Sequence, residues 1–181
     1  MQRGTLFLVA GPSGAGKDTL LDEARRHFRH DPRYVFPRRL ITRAADAGGE
    51  DHITLSPAAF AARKADGKLL LDWTAHGLSY GIDGSAADAL AGGRHVVVNV
   101  SRSVLPEARR RYPPVRILSV EVPPAVLRRR LRQRGRESAA DLEERLRRAS
   151  SFTVAGDDVT VIRNGGDLET AAAQFLAALN A

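Results

Sequence analysis

The chain has 181 residues, 43% of them hydrophobic and 27% charged, which favours a single soluble globular domain. No apolar run approaches the roughly 18 residues of a membrane-spanning helix, and the lack of cysteine excludes disulfides and thiolate zinc sites. The formal net charge of +7 requires an anionic partner, but charge alone does not choose among nucleic acid, a membrane surface and a phosphorylated small molecule.

Strand-like and helical segments alternate along the chain, which predicts a layered α/β fold with a parallel core sheet. The chain enters its first strand almost at once, leaving no room for a cleavable signal peptide, so the cytoplasm is the expected location. Four apolar runs predict buried strands, at residues 5–10, 95–100, 115–122 and 159–164. Six segments have helical patterns, at residues 17–29, 85–91, 104–111, 124–134, 139–155 and 168–179.

Two segments depart from this alternation. Residues 35–81 carry short strand candidates at 40–43, 52–55 and 69–73 and a helix from Pro57 to about Ala65, which predicts an inserted subdomain. Residues 124–155 form two arginine-rich helices that read either as a mobile lid or as a solvated helix pair. We therefore expect one domain over residues 1–181, with a core of 1–34, 82–123 and 156–181.

The first predicted strand runs directly into a phosphate-binding loop, "GPSGAGKD". The glycines let the backbone bend around a phosphate, and Lys17 reaches its oxygens from the start of the following helix. This context predicts an ATP site made by Gly11, Pro12, Ser13, Gly14, Ala15, Gly16, Lys17, Asp18 and Thr19.

Asp18 occupies the position where the loop pattern has a magnesium-binding hydroxyl. A carboxylate is a good magnesium ligand, either directly or through water. Its charge also lies close to the triphosphate, so the site needs positive charge to spare. Asp18 is either a metal ligand, which we favour, or the partner of an arginine. Thr19 cannot replace it, because the next helical position points about 100° away.

Several motifs, in order and spacing, resemble the guanylate kinase superfamily over essentially the whole chain. They are "GPSGAGK", "TR…GGE", "DGKLLLDW", "SYG", "RLRQRG" and "ERL". The resemblance implies a P-loop nucleoside-monophosphate-kinase-like three-layer sandwich, an acceptor-binding insert at about 35–81 and a lid at about 124–155. It implies that Arg43 and Tyr80 hold the acceptor phosphate, that Asp72 contacts the acceptor, and that the lid residues Arg130, Arg134 and Arg145 act in catalysis.

Other positions depart from the superfamily pattern. Arg39 replaces a serine, Ile82 a small hydroxyl residue, Asn99 an acidic residue, and the region of Asp46 lacks a second phosphate-holding arginine. Guanine recognition is therefore in doubt, whereas phosphate recognition is retained or increased. Asn99 and Ser101 lie at the carboxyl end of a core strand, where ligand crevices form in α/β folds, so they and Arg39 are expected to contact substrate.

A narrower resemblance accounts for these departures together. "GPSGAGKD", "RRLITRAADAGGEDH", "AHGLSYGI" and "VVNVSR" are similar to the ribose 1,5-bisphosphate phosphokinases of phosphonate catabolism. This resemblance implies ATP with Mg²⁺ as donor and ribose 1,5-bisphosphate as acceptor, yielding 5-phospho-α-D-ribose 1-diphosphate (PRPP). Neither nucleic acid nor a membrane is expected as a partner, and the oligomeric state is left open. The alternatives are a guanylate kinase with altered base contacts and a silent nucleotide-binding module.

Overall fold

The computed structural model describes residues 2–44, 51–134, 138–151 and 153–181. Its strands are β1 (Leu6–Ala10), β2 (Tyr34–Val35), β3 (Arg39–Ile41), β4 (His52–Thr54), β5 (Leu69–Ala75), β6 (Leu78–Asp83), β7 (His95–Asn99), β8 (Val115–Glu121) and β9 (Val159–Arg163). Its α-helices are α1 (Lys17–His27), α2 (Pro57–Ala65), α3 (Ser85–Ala91), α4 (Leu105–Arg111), α5 (Pro124–Arg134), α6 (Ala139–Ser150) and α7 (Leu168–Leu179).

The architecture is α/β, as the sequence predicts, with a parallel sheet of five strands in the order β2-β7-β1-β8-β9. All five residues of β1 are buried, which explains why its sequence is apolar without alternation. No helix among the described residues is long and apolar enough to cross a membrane.

A second sheet of four strands has the order β4-β3-β6-β5. Its β3 strand pairs in parallel with β4 and antiparallel with β6, and β5 and β6 form a hairpin. Helix α2 begins where Ser56 Oγ accepts a hydrogen bond from Ala59 N at 3.1 Å, and its Phe60 packs with Leu40 and Leu69. The short strand candidates at 40–43, 52–55 and 69–73 all correspond to strands of this sheet.

The chain divides into two compact units. One contains Met1–Leu8 and Phe28–Val115, and the other contains Val9–His27 and Arg116–Ala181. The four-stranded sheet belongs to the first unit, whereas the loop after β1 and helices α5 and α6 belong to the second. Leu127, Leu131 and Leu142 join α5 to α6 in an apolar cluster, so this helix pair has a small core of its own.

Two expectations about elements were wrong. The helix predicted to reach residue 155 ends at Ser150, because the hydroxyls of Ser150 and Ser151 donate to the carbonyls of Arg147 and Arg148 at the last turn. Strand β9, expected to be buried, is partly exposed, and Val161 is 41% exposed. The reason is its place at the edge of the five-stranded sheet.

The start of β7 generates a prediction about acid stability. His95 Nδ1 accepts a hydrogen bond from Thr5 N at 3.0 Å, and its ring contacts Tyr34 and Phe7. Burial lowers the pKa of His95, Arg33 lowers it further, and Asp31 opposes the shift. Because the unfolded chain binds this proton more readily, the stability from neutral His95 is present above the ordinary histidine pKa of about 6.5 and falls as pH drops below it.

We therefore expect the free energy of unfolding to fall more steeply between pH 7 and 5 in the unaltered protein than in His95→Gln, which does not titrate. Urea unfolding at several pH values measures this, with the exposed His27→Gln as the control that keeps the steep fall. Parallel pH profiles for the unaltered protein and His95→Gln would contradict the assignment.

Candidate active site

The loop after β1 has a backbone that requires glycine at two positions. Gly14 and Gly16 have φ angles of +86° and +88°, in the left-handed region that L side chains rarely adopt. A Cβ on Gly11 would lie 2.7 Å from the carbonyl oxygen of Val120, so this glycine is required by close packing instead. Helix α1 begins immediately after the loop, which directs the positive end of the helix dipole into it.

Lys17 folds back across this loop. Its Nζ donates to the carbonyl oxygens of Gly11 and Pro12 at 2.8 and 2.9 Å. The ammonium group is therefore held at the loop without any help from a ligand. An anion held by the loop would meet a cation that is already in position.

Asn164, just after β9, is the functional residue whose role the sequence did not reveal. Its side chain is 3% exposed, its backbone N–H donates to Glu121 O at 2.8 Å, and its Nδ2 donates to Ala15 O at 2.7 Å. A Cβ on Gly16 would overlap Nδ2 of Asn164. Asn164 thus fixes the loop from a position 149 residues away in sequence.

Arg130 on α5 approaches the same loop. Its Nη1 is buried and has no hydrogen-bond partner among the described residues, and it lies 3.9 Å from the position of a Cβ on Gly16. Burial lowers the pKa of Arg130, and the neighbouring Arg129 lowers it further. A buried guanidinium donor without a partner is costly unless a ligand satisfies it, and a phosphate oxygen would do so.

A second arginine reaches the loop from α6. Arg145 Nη1 donates to Ser13 Oγ at 3.3 Å. By contrast, Arg128 pairs with Glu143 on the neighbouring helix. The side chain of Arg134, the third arginine expected to act in catalysis, lies outside the described part of the structure. Its role stays a prediction.

A cavity of about 390 Å³ lies beside the loop. It is lined by Gly14, Gly16, Thr19, Arg130, Gln133, Asn164, Gly166 and Leu168. Loop glycines, a helix N-terminus and the partly buried guanidinium of Arg130 on one cavity form a concave, positively charged site of the kind that holds a nucleotide phosphate. Asp18 is exposed on the first turn of α1, beside Lys17.

In the other unit, the structure brings together Arg39 and Tyr80 of the predicted acceptor residues. Tyr80 stacks on Trp73, with ring centroids 5.5 Å apart and an interplanar angle of 5°. Cζ of Arg39 lies 5.2 Å from the Tyr80 centroid and 5.9 Å from the Trp73 centroid. Arg43, two residues beyond β3, is half-buried.

Asp72 does not join this group. It pairs in register with Gly81, whereas the adjacent Trp73 pairs with Tyr80, so the alternation of β5 directs Asp72 to the opposite face of the sheet. There its carboxylate lies 2.5 Å from Nζ of Lys64 on α2. The fold therefore separates Asp72 from Arg39 and Tyr80, because neighbouring residues of a strand point to opposite faces of the sheet.

The two remaining acceptor candidates follow β7. Asn99, its last residue, is 6% exposed. Ser101 Oγ accepts a hydrogen bond from Ser103 N at 3.3 Å and so caps a short 3₁₀ turn over Arg102–Val104. Their contact with substrate stays a prediction. Asp46, in the region that lacks a second phosphate-holding arginine, lies outside the described residues.

Comparisons with known proteins identify the family. A family model described as an AAA domain matches residues 6–154. The chain is 44% identical over 180 residues to ribose 1,5-bisphosphate phosphokinase PhnN of Rhizobium etli, covering 99% of this chain and 91% of that protein. The chain belongs to the ribose 1,5-bisphosphate phosphokinase family.

Other relatives agree with this membership. The protein of the same name from Acidiphilium cryptum is 49% identical over 176 residues, covering 97% of this chain and 92% of that one. A guanylate kinase from Anaplasma phagocytophilum superposes with a TM-score of 0.68 at 18% identity, covering 99% of this chain and 86% of that one, which bears on fold alone. The predicted family and the guanylate kinase-like fold are both confirmed.

The loop geometry of this phosphokinase family member yields a matched pair of substitutions. Gly16→Ala combines an unfavourable positive φ with a clash against Asn164, whereas Gly67→Ala, at φ +66°, meets nothing within 4 Å. Each should lose about 1–2 kcal/mol of folding stability from backbone strain. Only Gly16→Ala should also weaken ATP binding, by tenfold or more, because displacing Asn164 distorts the loop.

Isothermal titration with ATP at a temperature where both variants are folded measures the difference. Equal ATP affinity in the two variants would show that the contact between Gly16 and Asn164 does not shape the nucleotide site.

Proposed function

We propose that this protein transfers the γ-phosphoryl group of ATP to the 1-phosphate of ribose 1,5-bisphosphate, forming PRPP and ADP. The bond from the γ-phosphorus to the oxygen bridging it to the β-phosphate breaks, and its electron pair leaves with ADP. A bond forms between the γ-phosphorus and an oxygen of the acceptor's 1-phosphate. That phosphate is ionised at neutral pH, so the reaction needs positioning and charge neutralisation rather than a general base.

The observation that carries the proposal on the donor side is the buried Nη1 of Arg130 at the loop that already holds Lys17. In the proposal, the loop binds the β-phosphate, Lys17 reaches the β- and γ-oxygens, and Arg130 and Arg145 neutralise charge that develops on the transferring group. Each such donor supplies on the order of a few kcal/mol in the transition state. Arg134 is proposed to assist from the end of α5.

Family membership supports the choice of acceptor, and the contacts in the first unit agree with it. Arg39 places a cation at the Trp73–Tyr80 pair, and Asp72 is ion-paired with Lys64. A carboxylate that is ion-paired with a lysine is less available to accept hydrogen bonds from guanine, so a guanylate kinase is not favoured. In the proposal Arg43 holds the 1-phosphate with help from Tyr80, and Asn99 and Ser101 contact the sugar.

The proposed metal is Mg²⁺, which would neutralise charge on the β- and γ-phosphates when bound. The exposed carboxylate of Asp18, on the first turn of α1, is an oxygen ligand of the kind that Mg²⁺ prefers, and Thr19 follows it. Asp18 is therefore the proposed metal-holding residue of this chain. The proposed setting is a cytoplasmic enzyme that supplies PRPP during phosphonate catabolism.

Steady-state kinetics with a panel of acceptors tests the proposed reaction. With ATP and Mg²⁺, kcat/KM should be highest for ribose 1,5-bisphosphate and far lower for GMP. Lys17→Ala should reduce turnover on the order of 10²–10³-fold or more with the fold intact, which also excludes a contaminating kinase. Preferential phosphorylation of GMP, or a Lys17→Ala variant as active as the unaltered protein, would reject the proposal.

A magnesium titration tests the role of Asp18. Asp18→Asn keeps the shape but removes the charge, so the Mg²⁺ concentration for half-maximal rate should rise at saturating ATP and acceptor. Asp18→Ser, which restores a hydroxyl ligand, should be tolerated better than Asp18→Ala. If Asp18 instead pairs with an arginine, the magnesium dependence stays flat and the apparent acceptor affinity changes.

A further inference from the structure

The cavity beside the phosphate loop extends along α5, away from the loop. Arg130 marks its phosphate end, since Nη1 of this arginine is buried and lies 3.9 Å from the position of a Cβ on Gly16. Gln133 also lines the cavity, three residues further along the same helix. Residues three apart share one face of a helix, and the rise places Gln133 about 4.5 Å beyond Arg130 along its axis. The cavity therefore has room for more of a nucleotide than its phosphates.

The start of α7 gives this cavity an apolar wall. Leu168, the first residue of α7, is 40% exposed and lines the cavity. A lone exposed leucine is ordinary on a protein surface, but this one borders a concave site. Gly166 lines the cavity as well, and a Cβ on it would meet nothing within 4 Å, so the space beside it is open. A flat heterocyclic base can pack its face against such a wall.

Gln133 is the side chain of this cavity that is able to meet two adjacent atoms of a base with one donor and one acceptor. Its carboxamide is exposed and makes no hydrogen bond to any residue that the structure describes. Asn164 has the same chemistry, but its Nδ2 already donates to Ala15 O at 2.7 Å. Arg130 can only donate hydrogen bonds, and the hydroxyl of Thr19 offers a single oxygen.

A carboxamide distinguishes the two purines. Adenine presents the acceptor N7 beside the donor N6–H₂, so one carboxamide can donate to N7 and accept from N6 at the same time. Guanine presents acceptors at both N7 and O6, so the carboxamide oxygen would face a second oxygen. A glutamine in this position therefore favours adenine, whereas an arginine, which only donates, would favour guanine.

We propose that Gln133 selects the nucleotide by its base, so that the cavity prefers adenine nucleotides and discriminates against guanine nucleotides. The inference rests on the proposed function, in which ATP is the phosphoryl donor and the loop binds its β-phosphate. Gln133 is then a specificity-determining residue of the donor site that takes no part in the transfer itself. Its loss changes which nucleotide binds.

Equilibrium binding without the acceptor tests this selection. Isothermal titration of the unaltered protein with ATP and with GTP, each with Mg²⁺, should give a Kd for GTP at least about tenfold higher than that for ATP. Gln133→Leu removes both hydrogen bonds at similar size and should bring the two Kd values within about threefold of each other. Gln133→Arg supplies only donors and should reverse the preference.

Two further variants separate base selection from general effects on the site. The matched control is Arg132→Leu, which changes an exposed neighbour on α5 and should leave the ratio of the two Kd values within about twofold of the unaltered protein. Gly166→Val places a side chain in the open space at the apolar wall, so the affinity for both nucleotides should fall about tenfold or more. Thermal unfolding confirms that each variant is folded.

Three results would overturn the inference: equal affinity of the unaltered protein for ATP and GTP, an unchanged preference for ATP in Gln133→Leu, or unchanged affinities in Gly166→Val. The reaction assigned above fails separately. If the unaltered protein does not phosphorylate ribose 1,5-bisphosphate, but its preference for ATP still depends on Gln133, then base selection stands and the assigned reaction is wrong.

Discussion

The hydrogen bond from Asn164 Nδ2 to Ala15 O is the interaction on which the donor site depends. The loop from Gly11 to Gly16 has few side chains with which to hold itself, and two of its glycines adopt left-handed backbone. Such a segment has high conformational entropy unless something fixes it. The buried amide of Asn164 does so at 2.7 Å and occupies the space that any side chain on Gly16 would need. The fixed loop in turn determines how the chain enters α1 and where Lys17 lies.

The arginines that surround this loop explain how an acidic residue can stand at position 18. Arg130 brings a half-buried cation whose charged form burial disfavours, and Arg145 contacts Ser13 from helix α6. Before a ligand binds, such a site has excess positive charge. A carboxylate beside Lys17 offsets part of that charge, and it offers an oxygen ligand once a metal arrives with the nucleotide. Both roles considered for Asp18, metal ligand and partner of an arginine, therefore depend on the same excess of positive charge.

Much of the fold was predictable because local signals agree with the tertiary structure. Helix α7 begins where Asp167 accepts a hydrogen bond from Thr170 N at 2.8 Å, and helix α5 begins at the proline that its sequence suggests.

Strand β6 was missed. Its hairpin turn is His76-Gly77, and His76 adopts a φ of +52° that the sequence gives little reason to expect. Two-residue β2 is defined by pairing with β7, which no local pattern reveals.

Residues of the candidate site were predictable only where a motif or the family pattern names them. The loop motif names its own residues, and the family resemblance, now confirmed, names the arginines of α5 and α6. The role of Asn164 was not predicted, because its hydrogen-bond partner is a backbone carbonyl 149 residues away and no sequence motif identifies such a contact. Asp72 was assigned to the acceptor by the family resemblance, which does not show which face of a strand a side chain occupies. Trp73 lies against the guanidinium of Arg39, whose Cζ is 5.9 Å from the centroid of the Trp73 ring.

Transfer to the anomeric phosphate can be observed directly in a ³¹P NMR spectrum of the purified protein reacting with ATP, Mg²⁺ and ribose 1,5-bisphosphate. We expect the resonance of the 1-phosphate to be replaced by two mutually coupled diphosphate resonances, in step with the appearance of ADP. The 5-phosphate should remain a monoester. Formation of ADP with the 1-phosphate resonance unchanged, or a coupled diphosphate at the 5-position, would contradict transfer to the anomeric phosphate.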